Sequence, residues 1–458
     1  MLLENLLEPF LEQRPYCVLV RASLERMLSP SRLDQVFYEN AMVQYEREIL
    51  FSSLVDLMSR VVTRVEPSVL SSYRTMKDAL GVSDEAIYQK LRNVETQVSE
   101  AMVRDSFAVA HNLMGELNAY DRSWVPGKRV KILDGNYLQA TERRIAELRT
   151  MWDSPLPGRA LVVWDQQSRL VENVFLAEHG LASERSLIGD VLETVKAGDL
   201  WIADRNFCTL GLLFGLAVRK ARFVIRQHGQ LQGIPQGKRR AAGKTAKGER
   251  LWEQAVMIVR EGKERTIRRI TVELKTPTRD GDRELHIFTN LTPREASAAK
   301  VAELYAKRWT IEVVFLELQT ALRCEVKTLG YPKAALFAFC VALVLQNAYS
   351  MLHGSLRSVH GQKKVDEQVS GVLLAQELQK TYEGMMVQVP AIHWLEISAL
   401  SDRQFAIVLK RWVAKMDLSR YRKTPRGPKR PQPKRKPRSK GGRISTAVAI
   451  GSHKQPPS

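Results

Sequence analysis

Cysteine is scarce in this chain. The 458 residues carry four, at positions 17, 208, 324 and 340, with no C-x-x-C pair and no metal-ligand spacing. This argues against a disulfide-stapled secreted scaffold and predicts reduced thiols in a cytoplasmic setting. Long apolar runs are also missing. The longest, Ala334 to Leu345, is about 12 residues and ends at Gln346 and Asn347, whereas a membrane span needs roughly 20. A buried core helix is expected there, and no membrane partner. The opening MLLENLLEPFLEQ sets Glu4, Glu8 and Glu12 inside its apolar pattern, which suits an amphipathic helix and not a signal peptide. There is no G-x-S-x-G and no H-E-x-x-H, so serine hydrolase and zinc protease signatures are absent. AAGKT at 241–245 looks like a phosphate loop, but Lys238 stands where the motif needs glycine. His179, at a strand end, reads as a surface or satisfied histidine before it reads as a general base.

Acidic residues are the minority charge: 70 Lys and Arg face 50 Asp and Glu, a net +20. That balance favours a polyanionic partner, nucleic acid above all. From Leu418 to Ser458 there are 13 Lys or Arg and no acid. This Pro-broken basic tail, 419–458, is expected to be disordered. It either binds DNA non-specifically or merely solubilises.

The 44% hydrophobic content and the length allow several cored domains. Residues 1–120 are rich in helix formers with apolar residues three and four apart, predicting a helical N-terminal region, the candidate DNA-binding region. Within it, SSYRTMKDALGVSDEAIYQKLRNVE gives two helices broken at Gly81, with Ser83 as N-cap and Tyr88, Lys90 and Arg92 on the second. The pair is a helix-turn-helix or an ordinary helical hairpin. From Gly127 the texture changes to short β-branched runs, KRVKILDGNYL, RALVVWDQQ and LVENVFLAEH. They are followed by a helix over 183–197, the strand DLWIADRNF and a helix over 210–220. The fold class is therefore α/β, a mixed sheet with flanking helices. Its first part spans 121–225, a β-rich insertion with a basic loop covers 226–285, and 286–350 completes it. A helical C-terminal region follows over 351–418.

Asp134 ends the apolar run VKIL and Asp204 ends LWIA. Either alone is an ordinary turn or cap residue; two are a constellation. The stretch from Thr292 to Val326 reads as one long helix. At about 100° per residue, Val314, Phe315, Leu318 and Leu322 fall within about 60° of Ile311, an apolar stripe. Tyr305, Arg308, Glu312, Gln319 and Arg323 fall between about 60° and 120° of it. One face beside the core stripe thus carries a carboxylate among hydrogen-bond donors, or else simply solvated Arg–Glu pairs.

Together these segments resemble the transposases of insertion sequence family four. Asp134 in ILDGNYL and Asp204 in IADRNF look like the family's two aspartates. Tyr305, Arg308 and Glu312 match its Y-x2-R-x3-E-x6-K signature in identity and spacing. The Lys position holds Gln319, a departure at a residue that touches DNA phosphate in the family; Arg323, one turn on, is the candidate substitute. The resemblance covers roughly 128–330 and implies a ribonuclease H-like fold with an Asp134, Asp204, Glu312 triad that holds Mg2+, with Mn2+ substituting. It further implies cut-and-paste transposition on double-stranded DNA, at terminal inverted repeats and target, by a dimer in the nucleoid-associated cytoplasm. Tyr305, Arg308, Gln319 and Arg323 are the DNA-binding candidates. Trp309 reads as a core tryptophan before a base-stacking one. The competing readings are a non-catalytic or transposase-derived DNA-binding protein, and a metal-dependent nuclease without strand transfer.

Overall fold

The computed structural model describes residues 2–43, 48–278, 281–424 and 442–453. Helices α1 (Leu2–Gln13), α2 (Pro15–Met27), α3 (Pro30–Asn40), α4 (Phe51–Val62), α5 (Val69–Leu80), α6 (Asp84–Asn93) and α7 (Thr96–Glu116) precede the first strand. Pro15 and Pro30 occupy first-turn positions, where a missing amide costs no hydrogen bond. Gly81 closes α5 at φ +65, a left-handed conformation that glycine adopts without strain. The Ser83 hydroxyl then accepts the Ala86 amide and starts α6. On α6 the Lys90 ammonium lies 4.9 Å from the Phe37 ring centroid and the Arg92 guanidinium 4.8 Å from that of Tyr331. Tyr88 stays exposed.

The sheet is built from β1 (Arg129–Tyr137), β3 (Arg159–Asp165), β4 (Leu170–Ala177), β5 (Asp199–Ala203), β6 (Arg222–Arg226), β7 (Ile234–Lys244), β8 (Arg250–Arg260), β9 (Lys263–Glu273) and β10 (Glu284–Thr289). A short β2 (Ser154–Leu156) lies outside it, and α8 (Ile188–Glu193) and α9 (Leu210–Val218) interrupt the strands. Its order is β4-β3-β1-β5-β6-β10-β9-β8-β7. β3 runs antiparallel to β1 and β4 to β3, while β5 is parallel to β1 and β6 to β5. This is a mixed α/β sheet consistent with the ribonuclease H-like expectation. The segment expected as a β-rich insertion forms β7 to β9 and extends the same sheet, because β10 pairs with β6 on one side and β9 on the other. The helix expected over 183–197 is a 3-10 turn, Glu184–Leu187, followed by α8, which stops at Glu193.

Alternate side chains of a strand point to opposite faces, and here each face has its own core. Val130, Ile132, Val162, Leu200 and Ile202 belong to the apolar cluster shared with α7 and the later helices. Leu133, Leu161, Val163, Trp201 and Ala203 belong to the cluster formed with α8 and α9.

After the sheet come α10 (Ala298–Ala306), a 3-10 turn (Lys307–Trp309), α11 (Thr310–Ala321) and α12 (Pro332–His360), so the single long helix expected over 292–326 is broken in two and ends earlier. α13 (Gln362–Gln368), α14 (Gly371–Gln388), α15 (Ala391–Ser398) and α16 (Asp402–Ala414) complete the helical part. α12 is long and apolar enough to cross a membrane, but 94% of its most apolar window is buried inside the protein, as expected of a core helix. Its fully buried Asn347 donates to the Val171 carbonyl at 2.9 Å and to Ser106 Oγ at 3.0 Å, and accepts the Val171 amide at 2.7 Å. A buried amide costs little when so satisfied. The domain boundary expected at 350 falls inside this continuous helix.

The tail is a correction. Residues 425–441, the most basic part, lie outside the described residues, but the chain beyond them is folded. β11 (Arg443–Ser445) pairs in parallel with β2, and α17 (Thr446–His453) buries Ala449 against Ile145 and Leu148. The Ser154 amide donates to the Gly442 carbonyl at 3.1 Å and the Gly180 amide to Ser445 Oγ at 3.2 Å. RISTAVAI is β-branched, apolar and free of proline, unlike the run before it, so it can pair and pack. Truncation after Gly441 is expected to speed hydrogen exchange at the Ser154 and Gly180 amides, which lose the Gly442 carbonyl and Ser445 Oγ. Unchanged protection there would show that the docked tail is not held.

Candidate active site

The two aspartates are brought together by register. β1 and β5 are adjacent and parallel, with Leu133 opposite Ala203. The next residues are Asp134, inside β1, and Asp204, just past the end of β5, so the two side chains leave neighbouring strands at the same level of the sheet. β1 runs on to Tyr137, paired with β3, so Asp134 does not end its strand as expected. By alternation from Ile132 and Ile202, both start on the face that packs against α7 and the later helices. Crevices at the carboxyl ends of parallel strands are where open α/β sheets place their ligands.

The third carboxylate reaches them through an arginine. Arg308 sits in the 3-10 turn between α10 and α11 and is 7% exposed. Its Nη1 donates to Asp134 Oδ2 at 2.9 Å and its Nη2 to Glu312 Oε1 at 2.8 Å. The planar fork of guanidinium suits this two-carboxylate bridge as an ammonium would not. Ile311 and Val314 are buried beside it and anchor α11 to the core. Asp134 also accepts the Gly135 amide at 3.0 Å. Burial pushes the Asp134 carboxyl up to about 7; Arg308 opposes this, and the charges of Asp204 and Glu312 add to it. Asp204 accepts the Asn206 amide at 2.8 Å. Tyr305, 7% exposed, is pushed up by burial against the pull of Arg308 and Arg226.

The remaining candidates are scattered. The side chain of Gln319 lies outside the described residues. Arg323 does not continue the Glu312 face: α11 ends at Ala321, and the Arg323 guanidinium donates to the Pro67 carbonyl while its amide donates to Val62 at 2.7 Å. Trp309 is 59% exposed, against the expectation of a core position, because the 3-10 turn rotates it away from the Ile311 stripe. His179 is exposed and its Nδ1 accepts the Leu181 amide at 3.1 Å, a satisfied surface histidine.

The sequence reading missed Glu184. It is 8% exposed, has Asn206 as a neighbour that favours its charged form, and lies 4.0 Å from Arg159 Nη1. Gly135 was its signal: a methyl there would come 2.3 Å from Glu184 Oε1, so only glycine admits the carboxylate. A cleft of about 520 Å³ among α2, α3, α4, α14 and α15, lined by Arg21, Asp56, Ser59, Arg60 and Tyr382 among others, contains none of these groups.

The donor set fits a hard divalent cation: the carboxylate oxygens of Asp134 and Asp204 adjoin at a desolvated position, where uncompensated negative charge is costly. Among the described residues no three His, Cys, Asp or Glu side chains converge to hold an ion, since Arg308 stands between Asp134 and Glu312 as the compensating cation.

Fold and carboxylates together point to a metal-dependent enzyme acting on nucleic acid. Residues 126–346 match the family model of the transposase DDE domain, a segment that contains β1 to α11 and all three carboxylates. This similarity supports a DDE transposase of a mobile element, with DNA as its substrate. No curated protein matches the chain.

Proposed function

We propose that this chain is a cut-and-paste transposase of insertion sequence family four, with Asp134, Asp204 and Glu312 as its metal-binding triad. The observation that carries the reading is the register of β1 on β5, which sets Asp134 beside Asp204, with Arg308 tying Asp134 to Glu312. Two Mg2+ or Mn2+ ions held by these carboxylates would activate the attacking oxygen and stabilise the leaving one.

The chain's own groups do the rest. Arg308 is a preformed phosphate fork: a scissile phosphate drawing the guanidinium away would free Asp134 and Glu312 for the metals. Tyr305, adjoining Arg308, offers a hydroxyl to the same phosphate. Trp309, exposed, is available to stack on a base. Water attack at the transposon end would release a 3′-hydroxyl, which then attacks a target phosphodiester; no protein nucleophile is required. The N-terminal helices, with the α5–α6 pair, are assigned to binding terminal inverted repeats, and pairing two ends calls for a dimer on DNA in the nucleoid-associated cytoplasm.

The test is Mg2+- or Mn2+-dependent cleavage of DNA carrying the element's flanking ends, comparing the unmodified chain with Asp134→Ala, Asp204→Ala and Glu312→Ala. Binding without cutting in all three variants, and cutting with strand joining in the parent, supports the proposal. A parent that binds and never cuts, or cuts and never joins, overturns it in favour of a DNA-binding protein or a nuclease. The tail adds a second readout. Residues 425–441 hold eight Lys or Arg and no acid, and each phosphate neutralised contributes about 0.9 to the slope of log affinity against log salt. Replacing those eight by Ser is expected to flatten that slope by several units; an unchanged slope assigns the tail to solubility alone.

A further inference from the structure

We propose that Glu184 is a positioning residue that locks the two aspartate-bearing segments together from the opposite face of the sheet. The inference rests on the reading of Asp134 and Asp204 as metal-holding groups. Alternation along β1 turns Gly135 away from Asp134, towards the α8 side, and that is where Glu184 stands at the start of the turn leading into α8. Its carboxylate fills the place of a side chain at Gly135: a Cβ there would lie 2.3 Å from Oε1 and 2.6 Å from Cδ. It therefore sits directly against the position immediately after Asp134.

The Asn206 side chain lies close enough to the same carboxylate to favour its charged form. Asn206 is the residue whose amide donates to Asp204 Oδ1 at 2.8 Å, and whose carbonyl accepts Arg185 Nε at 3.0 Å. Glu184 and its neighbour Arg185 thus hold, from one short turn, the residue that aims Asp204. Arg159 supplies the charge: Nη1 is 4.0 Å from Glu184 Oε1, and the guanidinium stacks 3.6 Å from the Tyr137 ring centroid, on the residue opposite it in the β1–β3 register. A buried carboxylate is expensive where an apolar side chain would pack. What an apolar group lacks is the acceptor for Asn206. Coming from the reverse face, Glu184 acts on the metal-holding groups through the backbone, as partners behind metal ligands do.

The test uses the full chain with Glu184→Gln, Glu184→Ala, Gly135→Ala and the double variant Gly135→Ala/Glu184→Ala. Mn2+ affinity is read by electron paramagnetic resonance without DNA, alongside single-turnover cleavage, DNA affinity and thermal melting. Glu184→Ala is expected to weaken Mn2+ binding and slow cleavage about 10- to 100-fold with DNA affinity unchanged. Glu184→Gln, which keeps an acceptor for Asn206, is expected within about threefold of the parent on the same scale. Gly135→Ala should displace Glu184 and lose as much as Glu184→Ala, and the double variant should lose no more than either. Glu184→Ala that melts lower but binds Mn2+ like the parent overturns the proposal in favour of packing. Glu184→Gln as impaired as Glu184→Ala overturns it in favour of a required charge. If the parent neither binds Mn2+ nor cuts, and Asp134→Ala changes nothing, the metal reading itself fails and takes this inference with it.

Discussion

Asp134→Asn is expected to lose cleavage by about 10³-fold or more and yet be the more stable protein at pH 8. The activity loss follows from removing an anionic ligand from a site whose metals supply several kcal/mol of charge stabilisation, each 1.4 kcal/mol being about tenfold in rate. The stability gain follows from burial. The Asp134 carboxyl is pushed from 3.8 to about 7, mainly by desolvation. Between pH 4 and 7 the folded chain keeps a proton that the unfolded chain has released, so stability falls as pH rises through that window. Above pH 7 the full penalty is present, about 1.4 kcal/mol per pH unit of separation and hence a few kcal/mol in all. Asparagine cannot ionise and can still accept from Arg308. Metal-free melting of parent and variant should therefore converge near pH 4 and separate by pH 8, with the variant higher. A variant melting below the parent at both ends would show that the Arg308 bridge, and not desolvation, dominates at Asp134; retained cleavage would remove Asp134 from the triad.

Lys131→Ala is expected to destabilise the fold by about 3–5 kcal/mol, the cost of stranding a buried charge. Lys131 is 3% exposed on β1, its ammonium 2.6 Å from Glu172 and 3.5 Å from Asp199, and 5.5 Å from the Trp201 ring centroid. Asp199 is fully buried; without Lys131 it keeps, among the described residues, Arg129 Nε at 2.8 Å and the Lys196 amide at 2.8 Å. Urea unfolding measures the loss, and Lys131→Met combined with Asp199→Asn should recover part of it by removing both charges. A loss under about 1 kcal/mol for Lys131→Ala would place the ammonium in solvent, where ion pairs are worth little.

Local signals carried the parts of this protein that local physics controls. VKIL and LWIA announce strands, and Asp204 ends the second while the first continues past Asp134 to Tyr137. Gly81 and Ser83 mark the α5–α6 break because glycine tolerates φ +65 and a hydroxyl satisfies a first-turn amide. Arg308 and Glu312 meet because a four-residue spacing on consecutive helical turns puts them within reach. The same reasoning failed where neighbours far away in the chain intervene. Arg323 was projected along a helix that ends at Ala321, and its guanidinium goes to the Pro67 carbonyl. Trp309 faces solvent because the backbone tightens at Lys307–Trp309. The last residues of the tail find β2 and the Ile145–Leu148 surface, which composition could not anticipate.

The sequence by itself determined most of the strands and helices, the basic charge and the candidates Asp134, Asp204 and Glu312, since each depends on residues within a turn or two. Only the tertiary structure decided that Leu133 lies opposite Ala203, that the strands after Arg226 join the same sheet, and that Glu184 sits against Gly135 from behind. Pairing and burial between segments tens of residues apart are set by which apolar faces close on one another, and no local pattern encodes that choice.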